Sequence, residues 1–401
     1  MSSAYDSLVE REQSVIMHTY GRYPVAIARG EGCRLFDLDG REYLDLLAGI
    51  AVSVLGHGRA DLAKVMADQA ARLTHVSNLF YQKEQVDLAE KLVASCDADK
   101  VFFCNSGAEA NEAASKLARR YMRKVKNRDA YEIITLEGSF HGRTLATLTA
   151  TGQRGPIKDG FGPLPSGFVT VPFDDICALR DAVTDKTAAV LVEMVQGEGG
   201  IRPLPEQFAS DIAALCKEKD ILFMADEVQS GMGRTGRMWA HQHYNIVPDV
   251  FTTAKALAGG LPMGACLATN EVAKGFGPGS HATTFGGGPV LAAVACRVLD
   301  VIREEGLVAK AEALGRYLKD RVLELVAKYP DKIASVRGLG LMFGIELSFP
   351  GKEVWQALLD KGFIMNLSHE RVLRLLPPLT IEQADLDRFV DALDQVLAEA
   401  G

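Results

Sequence analysis

The chain has 401 residues, 44 Lys plus Arg and 52 Asp plus Glu, for a formal net charge of -8. An apolar fraction of 48% with 24% charge is that of a globular protein with a large core, which excludes wholesale disorder. The mild acidity argues against a nucleic-acid partner, which needs a basic face.

The N-terminus reads MSSAYDSLVEREQSV, polar and mixed in charge, with no apolar leader segment. The most apolar windows, Leu46 to Leu55 and Thr187 to Val195, are half the roughly 20 residues a membrane span needs. A membrane is therefore not expected. The seven Cys are scattered without a C-x-x-C pair, as buried thiols of a reducing cytosol would be. From residue 101 to 269, β-rich runs alternate with helix-period stretches. Strands are expected at 101–105, 131–136, 168–172, 188–195, 221–225, 250–254 and 264–269, with helices at 108–126 and 207–219 between them. Apolar strands alternating with helices mean a mostly parallel sheet covered on both faces, with its site at the carboxyl ends of the strands. After about residue 290 the pattern changes to helices at 289–305 and 307–328, a Gly-punctuated hairpin over 333–347, and helices at 352–361 and 381–400. Two α/β domains follow, with a boundary near Phe285–Pro289.

Four segments at predicted strand ends carry chemistry. Phe102 to Asn111 runs from a strand through Asn105-Ser106-Gly107-Ala108 into a helix, whose first amides suit an anion; Ser106 is equally an ordinary N-cap. Gly138 to Thr144 offers Phe140, His141 and Arg143, either as carboxylate-binding groups or as a solvated loop. Phe223-Met224-Ala225 leads into Asp226-Glu227, and a carboxylate at a buried strand end needs a cation or donor. A metal or a protonated heterocycle nitrogen would serve. Thr252-Thr253-Ala254 leads into Lys255, where burial would free a neutral amine. Gly231 to Gly236 is a literal G-x-G-x-x-G, but no strand precedes it and no helix start follows, so a loop is expected rather than a dinucleotide site. His241-Gln242-His243 lacks the further ligands a zinc site needs, and no metal is expected.

Taken in order, the amides for a phosphate, an aromatic for stacking, a carboxylate for a ring nitrogen and an amine for an aldehyde meet the requirements of pyridoxal phosphate. With the strings Leu55-Gly56-His57-Gly58, Asn105 to Ala113, Phe140-His141-Gly142-Arg143, Gln196 to Gly200, Asp226 to Gln229, Gly231 to Gly236 and Ala254 to Leu257, the chain resembles the class III aminotransferases of pyridoxal-phosphate fold type I over nearly its whole length. It is most similar to members acting on N2-acetylornithine.

That resemblance implies a large domain at 46–287 with a mostly parallel seven-stranded sheet, and a smaller α/β domain built from 1–45 and 288–401. It implies that Lys255 bonds the cofactor and shuttles protons, and that Asp226 pairs with the ring nitrogen. Gln229 lies near the phenolic oxygen, Phe140 stacks on the ring, and Ser106, Gly107 and Ala108 hold the phosphate. Thr284 reaches the phosphate of a neighbouring subunit, which implies a homodimer with shared sites. Arg143, Thr283 and Tyr20 are substrate contacts. Arg374 would bind the α-carboxylate of glutamate, with Glu193 neutralising Arg374 when the ω-amine substrate is bound. The chain departs from the usual pattern at Gly288, Met194 and Thr283. Ile50 stands where ornithine aminotransferases carry Tyr, which favours an acylated ornithine. The implied reaction is transfer of the δ-amine of N2-acetylornithine to 2-oxoglutarate in arginine biosynthesis in the cytosol. The rivals are another ω-aminotransferase (for succinylornithine, succinyldiaminopimelate or 4-aminobutyrate) and a racemase or aminomutase on the same fold.

Overall fold

The computed structural model describes residues 3–400. A seven-stranded sheet forms its centre: β1 (Lys100–Cys104), β2 (Glu132–Leu136), β3 (Phe168–Val171), β4 (Thr187–Val192), β5 (Leu222–Asp226), β6 (Val250–Thr253) and β7 (Gly264–Ala268), in the spatial order β1-β7-β6-β5-β4-β2-β3. All strands run the same way except β7, which is antiparallel to both β6 and β1. Each residue of β4, β5, β6 and β7 is buried, which explains why these runs read as continuous apolar segments without alternation.

The helix Gly107–Lys124 buries Ala110, Ala113, Ala114 and Ala118 against the sheet. Small side chains there let the helix axis approach the strands closely. Its start is fixed by the Ser106 side chain, which accepts the Glu109 amide at 3.2 Å, while the Glu109 carboxylate accepts the Asn105 amide.

Two smaller sheets flank the centre. One joins Ile27–Glu31, Arg34–Asp37 and Glu42–Asp45 to Phe363–Ile364, so the two ends of the chain share a sheet. The other contains the expected hairpin, Ile333–Leu339 with Met342–Leu347, and adds Val372–Leu375 and Asn366–Ser368. The long helices Pro289–Glu304 and Leu307–Lys328 lie where the periodicity puts them.

Three features depart from the sequence pattern. The strand expected over 188–195 ends at Val192, because the chain turns at Glu193 and pairs Val195–Gln196 with Arg202–Pro203 as a separate hairpin. The strand carrying Arg374 is too short for a period to show. Residues 48–51 form a left-handed turn, with φ of 48° at Ala48, 66° at Ile50 and 63° at Ala51. Left-handed backbone costs about 1–2 kcal/mol at each non-Gly residue, so this segment is held by its surroundings.

All seven cysteines are free thiols, and Cys177 alone among them is exposed. Among the described residues, no helix is long and apolar enough to cross a membrane and no cluster of His, Cys, Asp or Glu could hold a metal.

Candidate active site

The carboxyl ends of β1, β2, β4, β5 and β6 open onto one cavity of about 460 Å³. Ser106, Gly107, Ala108, Phe140, Arg143, Glu193, Asp226, Gln229 and Lys255 all line it, so residues spread over 150 positions converge because each follows a strand of one sheet.

Asp226 is the last residue of β5 and is buried. Its Oδ2 accepts from Asn111 Nδ2 at 2.7 Å and lies 2.8 Å from His141 Nδ1. Its Oδ1 accepts the Val228 amide at 3.0 Å and keeps acceptor capacity for a further donor. Asn111 is itself oriented, since its Oδ1 accepts from Thr252 Oγ1 at 2.7 Å and its Nδ2 also donates to the His141 carbonyl at 2.8 Å. The next residue, Glu227, points the other way. It accepts the amides of Ala240 and His241 at 2.7 Å each, and His241 Nδ1 lies 2.9 Å from it. A metal site built on Asp226 and Glu227 together is thereby ruled out, and His241 is accounted for as a structural partner.

Lys255 follows β6 with a φ of 36°, and its side chain faces the cavity. Among the described residues its Nζ makes no ion pair or hydrogen bond. Burial lowers its pKa, an effect that Glu198 partly offsets and Arg374 reinforces. A neutral amine is therefore closer to hand than at an exposed lysine.

The amides of Gly107 and Ala108 open the helix Gly107–Lys124 into the cavity with no acceptor of their own among the described residues. A Cβ at Gly107 would lie 2.6 Å from Val228 Cγ1, so a larger residue there would force Val228 to move. Two buried polar atoms lack partners at the same place, Gln229 Oε1 and His141 Nε2. Free helix-start amides, a spare carboxylate oxygen, a free amine and the half-buried face of Phe140 fit a phosphorylated pyridine aldehyde.

The side of the cavity next to the small sheet carries charge. Arg374, 2% exposed, pairs with Glu198 and donates to the Gly197 carbonyl at 3.4 Å. This corrects the expected partner, Glu193. The Glu193 oxygens are occupied by the amides of Phe140, at 2.8 Å, and Gly197, at 3.1 Å. The hairpin at 195–203 then carries Glu198 across to Arg374. Burial pushes the Glu193 carboxyl up to about 7, against the opposing pull of His141. Burial also raises Glu198, but the charge and hydrogen bond of Arg374 outweigh it and hold that carboxyl below its ordinary value.

Arg143 stands exposed at the mouth, its guanidinium 5.5 Å from the centre of the Phe140 ring and without an ion pair among the described residues. Thr283, Thr284 and Tyr20 do not line the cavity of this chain. Thr283 Oγ1 accepts from Asn105 Nδ2 at 3.2 Å, Thr284 is exposed, and Tyr20 is 66% exposed beside Arg22. Ile50 also stays outside, while Val52, two residues on from it, lines the wall. Asn111, Thr252 and Glu198 are site groups to which the sequence reading gave no role. A polar Asn among buried alanines on one helix face is the signal that marks Asn111.

A family model described as class-III aminotransferase matches residues 15–397. An acetylornithine aminotransferase of Methanocaldococcus jannaschii is 46% identical over 98% of this chain and 98% of that protein. Acetylornithine aminotransferase 1 of Bordetella bronchiseptica is 48% identical over 95% and 96%. Among solved structures, acetylornithine aminotransferase of Elizabethkingia anophelis superposes with a TM-score of 0.87 at 33% identity, covering 98% of this chain and 99% of that one. Ornithine aminotransferase of Toxoplasma gondii does so with a TM-score of 0.94 at 30% identity, covering 99% and 95%.

Proposed function

The chain belongs to the class III aminotransferases, which depend on pyridoxal phosphate, and we propose that it moves the δ-amine of N2-acetyl-L-ornithine to 2-oxoglutarate, giving N-acetylglutamate 5-semialdehyde and glutamate for arginine biosynthesis. The observation that carries the reading is a free lysine amine in one cavity with a strand-end aspartate and with Glu198, whose carboxylate neutralises the buried Arg374. The names of the relatives at 46% and 48% identity support the substrate.

Pyridoxal phosphate, when bound, supplies an aldehyde for the amine and a protonated ring that takes up the electron pair left by C–H cleavage. On this reading Lys255 Nζ would be the amine that holds the cofactor's aldehyde group and the base that moves the proton at the reacting substrate carbon. Asp226, whose Oδ1 keeps acceptor capacity beyond the Val228 amide, would hold the proton of the ring nitrogen. Asn111 and His141 keep that carboxylate oriented. The amides of Gly107 and Ala108 with the Ser106 hydroxyl would hold the phosphate, Phe140 would cover the ring, and Gln229 would serve its phenolic oxygen.

Two unlike amino donors must use one cavity. Glutamate presents a second carboxylate, and acetylornithine does not present one at that place. Arg374 would take that carboxylate, with Glu198 giving way. With acetylornithine bound, Glu198 keeps Arg374 neutralised, since a buried unpaired guanidinium is costly. Arg143 would take the carboxylate of acetylornithine at the mouth.

A homodimer and a cytosolic location complete the proposal. Leu79, Phe80, Tyr81 and Phe285 are 88%, 62%, 105% and 64% exposed, beside Thr283 and Thr284. Asn78 joins their loops by donating to the carbonyls of Thr283, at 3.1 Å, and Gly286, at 3.0 Å. Such an apolar patch suits a second copy of this chain, which would receive Thr283, Thr284 and Tyr20 at its own site.

A donor panel tests the substrate. With 2-oxoglutarate as acceptor, kcat/KM for acetylornithine is expected to exceed that for ornithine, succinylornithine, succinyldiaminopimelate and 4-aminobutyrate. A higher value for any of these replaces acetylornithine with that donor.

A further inference from the structure

Behind Glu198 lies a second cavity, of about 620 Å³, whose lining shares Glu198 alone with the substrate cavity. Its wall carries Arg202, on the short strand Arg202–Pro203. The half-buried guanidinium lies flat enough on Phe173 to bring its centre 3.9 Å from the ring centroid. Among the described residues Arg202 makes no side-chain hydrogen bond or ion pair. Burial, then the charge of Arg337, lowers its pKa, and Asp174 opposes them without forming an ion pair.

Most of the neighbouring charges are already paired. Arg154 meets Glu137, Arg337 meets Glu346, and Glu198 meets Arg374. That leaves Arg202 and Asp174 without ion pairs among the described residues, and the Arg202 guanidinium is presented as a planar fork on an aromatic face, the form in which arginine takes a carboxylate with two parallel hydrogen bonds. Two further donors of the wall face Glu198. His369 Nε2 lies 2.7 Å from the Glu198 carbonyl oxygen, and Gln153 Nε2 donates to the same oxygen at 3.5 Å. The backbone of Glu198 is therefore held from this second cavity, while its carboxylate is held from the first.

We propose that the second cavity binds a small carboxylate through Arg202, and that its occupant draws Gln153 and His369 away from Glu198, loosening the Glu198–Arg374 pair in favour of the glutamate half-reaction. The binding step stands on the geometry of this cavity alone. The coupling step rests on the proposed role of Arg374.

Malonate is a suitable probe. Titrated calorimetrically into the holoenzyme, it is expected to bind about tenfold or more weakly to Arg202→Gln, a loss of ~1.4 kcal/mol. Arg143→Gln, which removes a carboxylate-binding arginine from the mouth of the substrate cavity, is expected to keep the Arg202-dependent part of that binding. Malonate binding that depends on Arg143 and not on Arg202 overturns the proposal. In steady state, malonate is expected to lower the KM for glutamate in the wild type and not in Arg202→Gln. A rise in that KM, or no change, in a protein that binds malonate through Arg202 refutes the coupling. Absence of transamination would instead count against the assigned reaction, and leaves the calorimetric comparison readable.

Discussion

Around Asp226 the hydrogen-bonding groups interlock: Thr252 orients Asn111, and Asn111 with the Val228 amide orients the carboxylate. Around Arg374 the binding is looser, with one ion pair to Glu198, a long contact to a carbonyl, and a buried Nε without a partner. The first region stands on β5 and β6 in the middle of the sheet, the second on a hairpin tip and a short strand of a flanking sheet. A carboxylate that must keep one charge throughout a reaction is served by rigid neutral donors. An arginine that must be available to one substrate and silent to another is served by a partner that can leave. The difference in construction matches the difference in task.

The largest expected effect tests whether the fixed region is where chemistry happens. Lys255→Ala should lower turnover of acetylornithine by at least about 10²–10⁴-fold, the range for losing a positioned acid–base group. Single-turnover spectroscopy of each half-reaction measures it, and residual turnover within tenfold of the wild type would remove Lys255 from its role.

Asp226→Asn keeps the shape and removes the charge. A hydrogen bond to a charged group is worth about 1.5–3 kcal/mol, so kcat should fall by about one to two decades, with weaker cofactor retention on dialysis. A change in cofactor retention with kcat unaltered would make Asp226 a binding group only.

The movable region should respond asymmetrically. Glu198→Gln, which leaves Arg374 without a counter-charge, is expected to lower the KM for glutamate and raise that for acetylornithine, each by several-fold, on the order of 1 kcal/mol. Equal changes in both half-reactions would make Glu198 structural.

The smallest effect concerns Glu193, which lies between the two regions and holds the amides of Phe140 and Gly197. Its carboxyl is raised to about 7 by burial, so between roughly pH 4.5 and 7 the native state holds a proton that the unfolded chain has released. Stability must then fall as pH rises through that window and level off above it. Denaturant titration of Glu193→Gln should lack this decline. An identical pH profile in the variant would leave no place for the raised carboxyl.

Most of the large sheet is legible in the sequence because buried parallel strands are uniformly apolar and short. Each of the seven expected strands is present, with ends shifted by up to three residues, the largest shift falling where Val192 gives way to the 195–203 hairpin. Lys255 and Asp226 are legible for the same reason, each a charge abutting such a strand. The left-handed turn at 48–51 is not legible, because Ala48, Ile50 and Ala51 have no preference for positive φ. The pairing of Arg374 is not legible either. Glu193 and Glu198 are five residues apart in one glycine-rich segment, and the one nearer the strand was the natural choice.

What the sequence determined by itself is the set of groups and their order along the chain: an anion-binding helix start, an aromatic, an aspartate and a lysine, each following a strand, since local patterns fix strand ends and strand ends of a parallel sheet face one edge. What the tertiary structure decided is which charge meets which. That choice depends on the hairpin at 195–203 folding back toward Val372–Leu375, a contact between segments over 170 residues apart. No local propensity encodes a distance of that kind, and electrostatic pairing falls off within a few ångströms of it.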